Sequence, residues 1–340
     1  MPTTLKDISK QSGYSVTTVS RALTGYDDVS SSTRAHILKI ADQLGYQPNH
    51  AARQLQGQRT MTLGLIMPER MPTYEDDFFS VLLKGITYEA ANNGYDVLTS
   101  AAHPNQSELD TYKRFVEGKR VDGMIVARTH RNDSRIAYLQ SSNMPFIVHG
   151  RLTSEEQSNF HYIDVDSQLG LYLVTKHLIE LGHEKIGLIL PQADLAFTDY
   201  RWRGYLNALD DHQLVYRPDY CTHGNLTYQS GLDEADYLLT NYPELTAIIA
   251  TNDWMALGAI ARAEQHGRIV GKDFAIAGYD DIPAASQAHP SLTTVHQPIY
   301  DVGVQLTKQL ISIIATTPTT YHQTLLKPHL VVRESSGDSR

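Results

Sequence analysis

The 340-residue chain has a single cysteine, two tryptophans and no long apolar segment. Because Cys221 is the only cysteine, neither an internal disulfide framework nor a cysteine-rich metal site can form. No apolar run approaches the ~20 residues that a membrane-spanning helix needs. The first residues, MPTTLKDISKQ, lack the basic start and apolar core of a secretory signal. These absences predict a cytoplasmic protein without membrane spans.

Motifs of common catalytic α/β proteins are also missing. Residues 267–272 (GRIVGK) have three residues between the glycines where a phosphate loop has four, and aspartate follows in place of Ser or Thr. There is no G-x-S-x-G elbow and no H-E-x-x-H motif, and the histidines lack ligand spacing. The pairs Asp76/Asp77 and Asp280/Asp281 resemble glycosidase acids, but neighbours in sequence rarely face each other across one bond at ~5 Å or more. We expect no enzyme, no metal and no cofactor; a sugar-metabolising α/β enzyme such as a glycoside hydrolase is the alternative.

Charge is divided unevenly along the chain, whose formal net charge is −9. Residues 1–59 contain seven Lys or Arg and four Asp, a balance of +3, and the remainder carries a balance of −12. A basic segment is attracted to a phosphate backbone and an acidic one is repelled by it. The asymmetry favours a nucleic-acid-binding head on an acidic body.

The first 47 residues carry start and stop signals for three helices. Thr4 and Ser15 are suited to cap the first two, and Gly13 is suited to end the first and begin a tight turn. A serine cluster at residues 30–32 predicts the third start, and Gly45 predicts its end. Two short helices joined by a glycine turn are typical of a helix-turn-helix.

The second helix has two distinct faces. Its spacing predicts an inward face made of Val16, Val19, Ala22 and Leu23. The outward face combines short hydroxyl side chains with one arginine guanidinium: Thr17, Thr18, Ser20 and Arg21. Such side chains suit contacts to phosphates and base edges in a major groove, and Arg commonly reads guanine. The alternative is that they form an ordinary solvated helix surface.

From residue 62 onward, short apolar strands alternate with amphipathic helices. A first set contains the strands TLGLIM, DVLTS, GMIVA and FIVH, and a second contains IGLIL, AIIA and FAIAGY. Alternating strands and helices predict parallel sheets, and two such lobes with a cleft between them predict a hinged binding protein. Ligands of such sheets lie at the carboxyl ends of the strands.

Several segments together resemble the lactose/purine repressor (LacI/GalR) family. They are GYSVTTVSRAL at residues 13–23, GYQPNHAARQL at 45–55, and the later landmarks DG (122–123), LGH (181–183), TND (251–253), AGYDD (277–281) and LTTV (292–295). Each landmark is weak by itself. In this order and spacing they cover nearly the whole chain.

The resemblance implies three parts: an all-α helix-turn-helix headpiece (residues 1–47), a hinge helix and linker (48–60), and a periplasmic-binding-protein-like α/β domain of two lobes with parallel sheets (61–340). The first lobe is expected at about 61–162 and 294–320, and the second at about 163–293 and 321–340. The chain would cross three times between the lobes, and the strand at about 325–333 would rejoin the second.

The resemblance also implies a DNA surface. Its residues would be Thr4, Ser15, Val16, Thr17, Thr18, Ser20, Arg21, Asn49, Ala52, Arg53 and Leu55. Leu55 takes the position of the family's intercalating leucine, which enters the minor groove and kinks the duplex. The alternative for Leu55 is core packing.

In the cleft, the resemblance implies a ligand-binding set made of Asp77, Phe78, Phe79, His149, Arg151, Phe197, Arg201, Asn252, Trp254 and Asp280. Either Phe78 or Phe79 would face the cleft, whereas Asp253 and Asp281 would hold backbone turns. The chain departs from the family at Gly150, where other members often have aspartate. Similar HGR segments occur in members that resemble oligosaccharide responders.

The implied protein is a dimeric repressor that binds a pseudo-palindromic operator and is released by a sugar, with an oligosaccharide favoured. A regulator that needs a co-repressor is the alternative within the family, and a tetramer is a further alternative to the dimer.

Overall fold

The computed structural model describes residues 3–24, 26–46, 59–67, 77–101, 107–152, 159–316 and 318–337. The chain forms two compact units, residues Met1–Thr60 and Met61–Arg340. Among the helices within these ranges, none combines the length and apolarity needed to cross a bilayer.

The described part of the N-terminal unit, residues 3–24, 26–46 and 59–60, contains a bundle of three helices: α1 (Leu5–Ser12), α2 (Val16–Thr24) and α3 (Ser31–Gln43). The Thr4 N–H donates to the Asp7 carboxylate at 2.8 Å, and Gly13 ends α1 with φ of +75°. The Thr18 N–H donates to Ser15 Oγ at 3.1 Å at the start of α2. These contacts confirm the predicted helix-turn-helix and its caps.

The bundle has a small shared core. It contains Ile8, Val19, Ala22, Val29, Ile37, Ile40 and Ala41. The prediction that Val16 faces inward is wrong, because its side chain is 40% exposed. Val16 is the first residue of α2, where helical spacing alone does not decide whether a neighbouring helix covers the side chain.

In the described ranges of the second unit, the strands form two six-stranded sheets. Along the chain, the first lobe begins with β1 (Thr62–Met67), α4 (Asp77–Asn92), β2 (Asp96–Ala101), α5 (Glu108–Glu117), β3 (Gly123–Val126), α6 (Ser134–Ser141), β4 (Phe146–His149) and β5 (Tyr162–Val165). The second lobe follows with α7 (Ser167–Glu180), β6 (Ile186–Leu190), α8 (Ala196–Asp211), β7 (Cys221–His223), α9 (Tyr228–Asn241), β8 (Ala247–Ala250), α10 (Asp253–Gln265), β9 (Ala275–Asp280), α11 (Pro283–Gln287) and β10 (Thr293–His296). The last elements are α12 (Ile299–Thr316), β11 (Gln323–Leu326) and β12 (His329–Val331).

The strand order is β11-β5-β4-β3-β1-β2 in the first sheet and β12-β10-β9-β8-β6-β7 in the second. All described pairings are parallel except that of β12 with β10. The two predicted lobes with parallel sheets are therefore confirmed. Buried strands with helices on both faces explain why the strands read as continuous apolar runs.

The chain crosses between the sheets three times, but at other residues than predicted. Strand β5 lies in the first sheet and extends to Val165, past the predicted boundary at 162, and β10 pairs with β9 in the second sheet. Strand β11 pairs with β5, so the first lobe extends past residue 320. Only β12 rejoins the second sheet at the end. The predicted boundaries came from the family resemblance, and the actual ones are set by backbone pairing that the sequence does not display.

Candidate functional site

A cavity lies between the two lobes; its empty space, including the part open to solvent, is about 870 Å³. The cavity is lined by Asp77, Phe78, Arg128, Thr129, His149, Gly150, Arg151, Asp164, Ser167, Phe197, Arg201, Asn225, Leu226, Asn252, Trp254, Asp280, Ile282 and Gln297. Most of these residues follow a parallel strand or begin the helix after it, as expected for a site at the carboxyl ends of the strands.

Arg201 of α8 is buried in the second lobe and held on several sides. Its guanidinium donates to the Thr251 carbonyl, lies 3.9 Å from the Asp280 carboxylate, and is close to the rings of Phe197 and Tyr279, with distances of 4.5 Å and 4.1 Å to the ring centres. Its Nε has no partner among the described residues. Because the planar guanidinium is fixed in this way, its Nε–H can donate to a ligand in a defined direction.

Asn252 and Asp280 both line the cavity but are already engaged. The Asn252 amide donates to the Leu226 carbonyl at 2.9 Å and its oxygen caps α10 by accepting from the Met255 N–H at 3.0 Å. Asp280 accepts from the Gln297 amide at 2.6 Å. The capping role shows that Asn252 shapes the wall of the cavity.

Of the two neighbouring aspartates, Asp253 holds a backbone turn, as predicted, whereas the described partners of Asp281 are side chains. Buried Asp253 accepts from the Ile282 N–H at 2.8 Å and from the Thr294 hydroxyl at 2.5 Å. Burial, and then the nearby Asp280, raise the pKa of Asp253. Asp281 is paired with Arg333 at 2.6 Å and with His296 at 2.9 Å.

In the first lobe, Phe78 lines the cavity and Phe79 is buried in the core, so the structure selects the first of the two. The Phe78 ring lies 5.3 Å from the ring of His149. Burial, together with repulsion from Arg201, lowers the pKa of His149 to about 4. Its imidazole is therefore neutral near pH 7, and its Nε2 has no partner among the described residues.

Arg151 lies at the boundary between the lobes. Its guanidinium contacts Asp164 at 3.2 Å and Asp166 at 3.7 Å, and its carbon lies 4.0 Å from the centre of the Tyr200 ring on α8. Burial raises the pKa of Asp164 to about 6, and the charge of Arg151 opposes this rise. Arg151 thus connects both lobes as well as lining the cavity.

Sequence reasoning missed several lining residues: Arg128, Thr129, Asp164, Ser167, Asn225, Leu226, Ile282 and Gln297. Arg128 and Thr129 could have been predicted from the sequence, because they come just after β3. His149, which was predicted, lies in the equivalent place at the end of β4. Asn225 and Leu226 follow the three-residue strand β7, which is too short to recognise from its pattern.

The candidate DNA surface lies on α2 of the N-terminal unit. Thr17 and Arg21 are exposed, whereas Thr18 and Ser20 are half-buried. Arg21 pairs with Asp28 at 2.6 Å, with both side chains about half exposed. The predicted contacts at Asn49, Ala52, Arg53 and Leu55 lie outside the described residues.

Within the described residues, no group of three or more His, Cys, Asp or Glu side chains is arranged to hold a metal ion.

Comparison with known proteins links these two units to one family. A sequence profile of bacterial regulatory proteins of the lacI family matches residues 4–49, and a profile of a periplasmic binding protein-like domain matches residues 175–336. The chain is 32% identical over 340 residues to the HTH-type transcriptional regulator AglR of Rhizobium meliloti, covering 99% of this chain and 95% of AglR.

Two solved structures share the fold over nearly the full length. A complex of the transcriptional regulator CelR with cellobiose is 29% identical, covers 98% of this chain and 99% of its own, and has a TM-score of 0.77. A lac repressor dimer bound to operator and the anti-inducer ONPF is 26% identical, covers 99% of this chain and 100% of its own, and has a TM-score of 0.83. The chain therefore belongs to the LacI family of bacterial transcriptional regulators.

Proposed function

We propose that the protein is a dimeric repressor that binds a pseudo-palindromic operator and releases it when an uncharged sugar, an oligosaccharide in preference to a monosaccharide, enters the cleft. The relative CelR is solved with cellobiose, and the lac repressor is solved as a dimer on its operator. Those properties belong to the relatives. Their transfer to this chain rests on the following features of its own cleft.

The observation that carries the proposal is a set of polar atoms on buried or half-buried side chains of the cavity that have no partner in the part of the chain that the structure describes. They are His149 Nε2, Arg201 Nε and Trp254 Nε1. A buried polar atom without a partner costs about 1–3 kcal/mol, so a ligand that forms hydrogen bonds with these atoms removes that cost. Sugar hydroxyls can both donate and accept.

The charges of the cavity favour an uncharged ligand. Three arginines (Arg128, Arg151 and Arg201) are balanced by three aspartates (Asp77, Asp164 and Asp280), and His149 is neutral. Burying a charged ligand without a compensating partner is costly. The aromatic rings of Phe78, Phe197 and Trp254 offer faces for the apolar C–H side of a sugar ring.

On DNA, we propose that Arg21 and the hydroxyls of α2 read the operator and that Leu55 forms the minor-groove wedge. One headpiece is small for a specific interface, so two heads and a two-fold operator are needed. Arg21 must exchange its Asp28 partner for DNA when it binds.

A thermal-shift screen of the purified protein tests the ligand class. Cellobiose and other neutral disaccharides should raise the melting temperature more than glucose, ribose or a purine base, because a specific ligand stabilises the folded state by mass action. Stabilisation by a purine alone would contradict the sugar and favour a co-repressor. Turnover of a disaccharide, followed by chromatography, would contradict the repressor and favour the enzyme.

Binding of labelled duplexes tests the DNA half. A palindrome selected from a random pool should bind as a two-fold complex, with affinity that falls steeply with salt, and an active sugar should release it. Equal binding to unselected duplexes would overturn the assignment.

A further inference from the structure

Two loops, one from each lobe, are joined beside the cavity. The loop after β3 and the segment entering α8 form a short antiparallel bridge between His130 and Leu195. The Ala196 N–H donates to the Thr129 carbonyl at 2.9 Å, and the Arg131 N–H donates to the Asp194 carbonyl at 2.9 Å. We call residues 129–131 and 194–199 the interlobe clasp.

One ion pair and one contact between a histidine and a carboxylate reinforce the clasp. Arg131 contacts Asp199 of α8 at 2.6 Å, and His130 contacts the Asp194 carboxylate at 3.2 Å. The His130 N–H also donates to the Asp133 carboxylate at 3.1 Å. These two interlobe contacts are partly exposed, so each is weak and is screened by salt.

The clasp lies away from the segments where the chain crosses between lobes. Strand β3 is two strands from β5 in the first sheet, and β6 is three strands from β10 in the second. A rotation about the crossovers therefore separates the clasp while the covalent connections stay intact. The bonds of the clasp can break and re-form during such a rotation.

The clasp also forms part of the cavity wall. Thr129 of the first lobe and Phe197 of the second both line the cavity, and the bond from Ala196 to Thr129 joins their backbones directly. Because main-chain hydrogen bonds occupy this gap, a ligand cannot pass between the two loops while the clasp is closed.

We propose that the interlobe clasp is a ligand-independent latch that holds the lobes together and sets how fast a ligand leaves the cleft. Its closing role requires no ligand, whereas its control of ligand release rests on the proposed function of the cleft. The latch favours the closed arrangement both before and after binding. Weakening it should make open molecules more abundant and release faster.

Spin-label distance measurements on the full-length, ligand-free protein test the latch. Labels at exposed Ala137 of α6 and exposed Asp210 of α8, in a Cys221→Ala background, report the separation of the lobes. The double substitution His130→Ala/Arg131→Ala should add a population at longer distance. The control Lys176→Ala, which removes an exposed pair with Glu180 within α7, should leave the distribution unchanged.

A second variant addresses the main-chain bonds. Ala196→Pro removes the N–H that donates to Thr129, at the first residue of α8, where proline suits a helix. It should shift the distribution in the same direction. If His130→Ala/Arg131→Ala and a folded Ala196→Pro variant both show the wild-type distances, the clasp does not hold the lobes.

Release kinetics test the second part of the inference. With cellobiose as the probe and Trp254 fluorescence as the readout, His130→Ala/Arg131→Ala should release the sugar about three- to tenfold faster, as expected for the loss of two weak contacts. About 1 M salt should accelerate release from the wild type more than from the variant. If the variant has altered spin-label distances but releases the sugar at the wild-type rate, the clasp does not control ligand release. Its role in holding the lobes together would be unaffected. Absence of any sugar binding would contradict the proposed function but leave the distance result standing.

Discussion

At the residue scale, Arg201 combines a structural role with a free donor. Its guanidinium is held between two aromatic rings and a backbone carbonyl, yet its Nε has no partner in the described ranges of the chain. Lysine at this position would keep the positive charge but lose the planar fork, so the two residues are not equivalent here.

We predict that Arg201→Lys weakens binding of the active sugar at least about tenfold and leaves operator affinity without sugar close to that of the wild type. Loss of one buried hydrogen bond to a charged group is worth about 1.5–3 kcal/mol, which corresponds to this factor. Calorimetric titration measures the sugar, and fluorescence anisotropy measures the operator. Arg203→Lys, at an exposed position on the same helix, is the control. Sugar affinity unchanged by Arg201→Lys would remove Arg201 from the ligand site.

His149 and Asp164 give the cleft two opposing pH effects. Since the pKa of His149 falls to about 4 in the folded protein, its contribution to stability is complete above pH 6.5 and is lost as the pH falls towards 4. Since the pKa of Asp164 rises to about 6, the folded state is favoured at low pH and is penalised as the pH rises from 3.8 to 6. The two effects largely cancel between these limits.

Replacing His149 should expose the effect of Asp164. We predict that His149→Gln destabilises the protein less at about pH 4.5 than at about pH 7, by about 2–3 kcal/mol, because the variant no longer loses the histidine contribution on acidification. Urea unfolding at the two pH values measures the difference. An equal loss of stability at both would contradict a neutral, buried His149.

The sequence predicted residue types at the site better than their partners. Nine of the ten residues that the family resemblance implied for the ligand line the cavity. Those among them that end or follow parallel strands converge by topology. The sequence could not show that the Asn252 amide bonds the Leu226 carbonyl or that Arg151 spans the lobes, since both contacts depend on positions distant in the chain. Phe78 and Phe79 could not be separated for the same reason.

At the element scale, the pairing of α4 and α12 holds the first lobe together. A Cβ atom at Gly85 would lie 2.2 Å from the Tyr300 carbonyl oxygen, and one at Gly303 would lie 2.4 Å from that of Leu82. The two glycines thus let the helix backbones approach closely. The family resemblance implied that residues 294–320 return to this lobe, but only the packed structure shows why glycine is required.

We predict that Gly303→Ala lowers the free energy of unfolding by about 2–3 kcal/mol, because the added methyl group meets backbone that cannot move without separating the helices. Urea unfolding measures the shift in midpoint. Ser80→Ala, at an exposed position of α4, is the control and should change stability by less than about 0.5 kcal/mol. A similar midpoint for Gly303→Ala and the wild type would show that the helices can separate freely.

Two crossovers carry a local signal that predicts where the strands end. Pro298 follows β10 and Pro328 lies between β11 and β12, and proline cannot donate to a strand ladder. These prolines mark the crossings, yet they do not reveal which sheet each strand joins. Strand β10 pairs with β9, and β11 pairs with β5. The sequence does not predict these partners, because strands far apart in the chain have similar apolar character.

At the scale of the whole molecule, a basic head is joined to an acidic body, and a regulator needs the two to influence each other. If the sugar lowers operator affinity by some factor, the operator must lower sugar affinity by the same factor. This equality follows from thermodynamics and does not depend on the path between the sites.

We predict a factor between about 5 and 150, the usual range for allosteric proteins, and the same value from both directions. Anisotropy with and without saturating sugar gives one measurement, and calorimetric titration of sugar with and without saturating operator gives the other. An unrelated duplex of equal length is the control, and it should leave sugar affinity nearly unchanged because it lacks the selected sequence. If the operator leaves sugar affinity unchanged, the cleft ligand does not control DNA release. A sugar that binds more tightly in the presence of operator would identify a co-repressor.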